Sequence, residues 1–214
     1  MWPPQALFPL KDTLVLTCAS AGSLLSGFFD QTLMAQMGTG VQASFGLASR
    51  PPSFLALAVF GAGSALCTAL VANRPEYDKK HFALRALELA LLMLVLCGIV
   101  LGVVWLEGEP LIRTVYERGA FTAADSLKVT AALPYAVLAY LAYPACAVLT
   151  RTLAVDAGKT GLLGSAIAFL TVKITVGLAT YQSLGLGCVA LSSLLASVAQ
   201  CAVVVWAFFH RHKV

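Results

Sequence analysis

Leu89-Ala90-Leu91-Leu92-Met93-Leu94-Val95-Leu96-Cys97-Gly98-Ile99-Val100-Leu101-Gly102-Val103-Val104-Trp105-Leu106 carries no charged side chain. About 20 apolar residues of helix cross the hydrocarbon core of a bilayer. Lipid offers no partner for a backbone amide, so a run of this length without strand-like alternation has to be a helix. Working outward, the pattern recurs. Thr13 to Phe29 is uncharged, Asp30 follows, and the next charge is Arg50. Residues 51–73 and 129–150 are uncharged as well. A last uncharged run, Ile174 to Phe209, is too long for one span and divides at Tyr181-Gln182-Ser183-Leu184-Gly185, a polar turn bearing glycine. The expected fold is an all-α membrane protein, a single transmembrane domain over residues 1–214. It is a bundle of about six helices, at about 13–35, 43–72, 83–106, 127–152, 161–181 and 185–209.

Composition agrees. Hydrophobic residues make up 59% of the 214 and charged residues 11%, against about 25% charged in a soluble domain. At a mean hydropathy of +0.86, a water-soluble fold would expose far too much apolar surface. The net charge of +4 is modest, and no basic patch is interleaved with aromatics, so nucleic acid is not an expected partner. Cys18, Cys67, Cys97, Cys146, Cys188 and Cys201 all sit inside apolar runs, with no paired or histidine-flanked spacing. They read as small buried residues, with neither disulfide nor metal expected. Leu14-Val15-Leu16-Thr17-Cys18 loosely resembles a lipoprotein cleavage site, but Lys11 ahead of it is offset by Asp12. The segment reads as a retained helix.

Basic residues set the expected orientation. Lys11, Arg74, Lys79, Lys80, Arg85, Arg151, Lys159, Arg211 and Lys213 fall at one set of ends. Arg113, Arg118 and Lys128 fall at the other, mixed with Glu107, Glu109, Glu117 and Asp125. The first set belongs in the cytoplasm, with both termini. The outer loop, about 107–126, places Leu111, Ile112, Val115 and Tyr116 at helical spacing, which suits a short helix on the membrane surface. Thr122 with Asp125 makes a capping box for the fourth span.

Charges within spans are costly and mark candidate sites. Asp30 lies about five residues from the outer end of span one, and Arg50 a similar distance into span two. Both sit roughly 8–12 Å below the outer surface at the helical rise. The short Met37-Gly38-Thr39-Gly40 connection makes the two spans antiparallel neighbours, so Asp30 and Arg50 are expected to face each other. That pair serves either as a register-fixing ion pair or as an ionic site lining a cavity. Pro51-Pro52 after Arg50 kinks span two, starts it, or follows a plain loop ending at Ser49. An irregular helix start beside an arginine is a natural anion site. Lys173 lies near the middle of span five, opposite Thr171 and Thr175, and faces a cavity or snorkels to the surface.

Gly158-Lys159-Thr160 lacks the upstream glycine and strand of a phosphate loop, since Leu153 stands where the glycine belongs. His81, His210 and His212 lie in loop and tail. No carboxylate pair or Ser/His/Asp set is evident, so neither an enzyme nor a cofactor is expected.

Pro110-Leu111-Ile112-Arg113, Tyr116-Glu117-Arg118-Gly119-Ala120-Phe121-Thr122 and Asp125 together resemble a segment of the MurJ/MviN lipid II flippases, in the MOP exporter superfamily. Phe29-Asp30-Gln31, Ala48-Ser49-Arg50, Ala139-Tyr140, Pro144-Ala145, Lys159-Thr160 and the stretch from Gly185 to Arg211 are similar to further family segments. The resemblance covers about residues 10–213 and only the family's second six-helix lobe. It implies a V-shaped pair of lobes around a cationic cavity that passes the lipid pyrophosphate outward by alternating access in the bacterial inner membrane. It implies Arg50 as a cavity arginine and Asp30 as its neighbour or part of the outer gate. It also implies that a separate first-lobe chain or a second copy completes the cavity. Gln31 stands where the family has arginine, Gly161 where it has proline, and Lys173 at an apolar family position. Two other readings stay open: an exporter of other polysaccharide precursors or of cations, and a non-transporting membrane assembly partner.

Overall fold

The computed structural model describes residues 10–118 and 121–210 and contains seven helices and no strand among them. They are α1 (Leu10–Gln36), α2 (Val41–Ala72), α3 (Lys79–Leu106), α4 (Gly108–Tyr116), α5 (Ala123–Leu141), α6 (Tyr143–Leu184) and α7 (Gly187–His210), with a 3-10 turn at Arg74–Glu76. Five stretches are long and apolar enough to cross a membrane: Val41–Ala72, Lys79–Leu106, Ala123–Ala154, Thr160–Leu184 and Gly187–His210. The expected first span corresponds to α1, a helix of 27 residues. The chain is an all-α bundle of membrane-protein type. On α3, Leu91, Val95, Ile99, Val103 and Leu106 point outward, as a lipid-facing helix requires.

Backbone chemistry accounts for the breaks. Gly158 adopts φ +67°, a left-handed value that L side chains rarely take, and divides α6 into a first half and a second half that starts near Thr160. Gly185, at φ +51°, turns the chain from α6 into α7. The expected fourth span, 127–152, falls within the single stretch Ala123–Ala154, which has a helix boundary inside it: α5 ends at Leu141, and α6 begins with Pro144 in its first turn. Thr122 caps α5, its amide and hydroxyl both donating to Asp125 Oδ2 at 3.1 and 2.8 Å.

The expected second span, 43–72, corresponds to α2, which is continuous from Val41 through Pro51 and Pro52, so of the alternatives at the proline pair the loop ending at Ser49 is ruled out. One expectation fails: α1 and α2 touch only slightly, and α1 lies on the second half of α6. Gly38 and Gly40, at φ +124° and +86°, splay the two helices apart at their short connection. A Cβ at Gly177 of α6 would meet Phe29 Cε1 at 2.7 Å, which measures how closely α1 rests there.

The amphipathic helix α4 spends most of its apolar face on protein. Ile112 is fully buried, and Leu111 and Tyr116 pack against the same core. Val115 stays exposed. Gly108 sits against Leu133 of α5 with no room for a Cβ. The Gly119-Ala120 pair of the outer segment, both chain ends and the Lys159 side chain lie outside the described residues.

Candidate functional site

Splaying α1 from α2 leaves a cavity of about 520 Å³ between α1, α5, both halves of α6 and α7, with Phe45 of α2 in its wall. Its polar lining includes Ser26, Asp30, Thr150, Arg151, Lys173 and Ser193. Deep in it, Lys173 Nζ lies 2.8 Å from Asp30 Oδ2 and donates to Ser193 Oγ at 2.7 Å. Ser193 in turn donates to the Val189 carbonyl at 2.7 Å. The Lys173 side chain is 3% exposed, so it does not snorkel. Asp30 Oδ1 and Thr150 Oγ1 are buried without a hydrogen-bond partner, which leaves two polar atoms with unused bonding capacity against the cavity.

The expected Asp30–Arg50 pair is not formed. Asp30 reaches across to α6, because α1 packs mainly on α6 and only slightly on α2. Arg50 is exposed, outside this cavity, about 13 Å along α2 at the helical rise. No carboxylate among the described residues lies within ion-pair distance of its guanidinium. The same is true of Arg151 at the cavity's far end, which donates to Ser64 Oγ of α2 at 2.8 Å. The sequence reading assigned Arg151 to a topology-setting loop and did not single out Ser193. A run of Arg151 after Thr150 at the end of an apolar span was the available signal for the first. Nothing in sequence marks Ser193.

Near Arg50 the proline pair removes helix bonds. Pro51 has no N–H for the Leu47 carbonyl, four residues earlier. That carbonyl accepts instead from the Tyr116 hydroxyl of α4, at 3.3 Å. Among the described residues no cluster of three metal-ligating side chains exists.

No family model, curated protein or solved structure matches the chain.

Proposed function

We propose that this chain is a transport lobe of the MurJ/MviN kind, moving a polyprenyl-pyrophosphate-linked peptidoglycan precursor, lipid II, across the bacterial inner membrane by alternating access. One observation carries the proposal: Arg50 is a cation on a membrane-spanning helix with no counter-charge. A charge at that depth is costly unless something neutralises it. Lys173 is already neutralised by Asp30, and Arg151 is engaged by Ser64, so Arg50 is the cation this reading assigns to a ligand. A planar guanidinium binds phosphate oxygens two at a time, which suits a pyrophosphate. The resemblance around residues 110–125 supports the same substrate class.

The partners in this reading are the anionic lipid-linked substrate, the surrounding lipid, and a separate first-lobe chain or a second copy to close the far side of the cavity. The protein acts as a non-enzymatic carrier with no cofactor. It lies multi-pass in the membrane with both termini in the cytoplasm, and nucleic acid plays no part.

A second reading has its own support. Asp30 Oδ1 lacks a partner beside a cavity, and an acidic group there suits a cation exporter. Cells whose precursor export depends on this protein separate the readings, with outer-leaflet lipid II as the readout at matched protein level. Arg50→Ala cuts export at least tenfold and Arg50→Lys restores part of it. Loss on Asp30→Asn with Arg50→Ala tolerated selects the cation exporter. No change in either variant leaves a non-transporting assembly partner.

A further inference from the structure

We infer that Tyr116 latches a proline hinge in α2 and so fixes the direction in which Arg50 points; its bearing on transport rests on the reading of Arg50 above. The argument begins with the missing amide. An unpaired carbonyl inside a membrane-spanning helix is costly, so something must donate to Leu47. Leu47 is half-buried, packed against the main core cluster together with Tyr116 and Phe121, so a protein donor lies at hand. Tyr116 supplies the donor from a different helix, far along the chain.

The latch has a stiff arm. Ile112 anchors α4 in the core, and Gly108 seats its first turn against Leu133 of α5. The Tyr116 ring lies 6.1 Å from that of Phe121, which fixes its plane. α4 therefore ties α5 to the segment of α2 that lies immediately before Arg50. The hinge itself is the stretch from Leu47 to Pro52, where two consecutive prolines remove two helix bonds. With the bond made, α2 runs on as one helix through that point. With it broken, the helix is free to bend there, and Arg50 moves with it.

The same device recurs once. Pro144 leaves the Tyr140 carbonyl without its ordinary helix donor, and Cys97 Sγ of α3 approaches that oxygen at 4.0 Å. There the capping amide of Ala142 also reaches Tyr140, so the Cys97 contact is the weaker clasp. Among the described residues, the Leu47 carbonyl takes its bond from a side chain alone.

The experiment is a double-mutant cycle read by distance. Genetically encoded spin labels at Gln42 and Leu57, both exposed on α2, bracket the hinge about 22 Å apart at the helical rise. The wild-type protein in lipid nanodiscs gives one narrow distance population. Tyr116→Phe keeps the ring and removes the donor; it is expected to broaden the distribution or add a second population. Pro51→Ala restores the amide to Leu47, so Tyr116→Phe in that background is expected to give a single population again. A wild-type distribution in Tyr116→Phe overturns the latch, as does broadening that persists with Pro51→Ala. Export of lipid enters neither arm. A failed latch therefore leaves the reading of Arg50 standing, and loss of that reading leaves the latch standing.

Discussion

Two cations on the long apolar helices, Lys173 and Arg50, meet opposite fates. Lys173 is enclosed and paired, while Arg50 is left without a counter-charge. Breaking a buried pair from one side strands the other charge, at a cost of about 3–5 kcal/mol. Asp30→Asn is therefore expected to lower the unfolding free energy of the purified protein by about that amount. Asp30→Asn with Lys173→Met, which removes both charges, is expected to recover most of it. Denaturant titration in mild detergent measures both, and equal stabilities for single and double variants would remove the pair from the account. Asp30, Arg50 and Lys173 were each legible as charges within apolar runs. Their pairing was not. A short loop normally makes its flanking helices neighbours, and here two left-handed glycines send α1 to α6 instead. Hydrogen bonds such as Tyr116 to Leu47 join residues too distant in sequence for any local pattern to reveal.

Among the elements, helix ends were easier to read than helix breaks. The capping box at Thr122 and the turn at Gly185 were written in local residue types. The span over 43–72 was legible too, but whether Pro51-Pro52 would interrupt it was left open, because the bond from Tyr116 to the Leu47 carbonyl comes from a distant part of the chain. The role of α4 also changed between sequence and structure. Its periodicity gave an amphipathic helix, yet periodicity does not say whether lipid or protein covers the apolar face. Since Gly108 has no space before Leu133, Gly108→Val is expected to lift the first turn of α4 and cost about 1–3 kcal/mol, the usual range for overpacking. Thermal unfolding against Gly102→Val, which meets open space on α3, provides the control. Gly158→Ala forces a side chain into a left-handed backbone and is expected to destabilise by about 1 kcal/mol or more.

For the whole molecule, charge asymmetry predicts which end of the bundle faces the cytoplasm. A cysteine introduced at Glu117 is expected to react with a membrane-impermeant maleimide added to intact cells, and one at Asn73 only after the cells are opened. The reverse pattern would invert the bundle. The same asymmetry puts Arg50 nearer the outer surface and Arg151 at the inner end of the cavity. In the proposed reading the two guanidiniums that lack carboxylate partners, Arg50 outside the cavity and Arg151 in its lining, would both be open to an anionic headgroup. Binding to that headgroup is the most direct test. Native mass spectrometry of the purified protein would compare a polyprenyl pyrophosphate with the polyprenol of equal chain length. The account predicts clear preference for the pyrophosphate and a loss of about tenfold or more in Arg50→Ala, the equivalent of one charge-assisted bond. Equal affinity for the two lipids, or an Arg50→Ala variant that binds like the wild type, would contradict it.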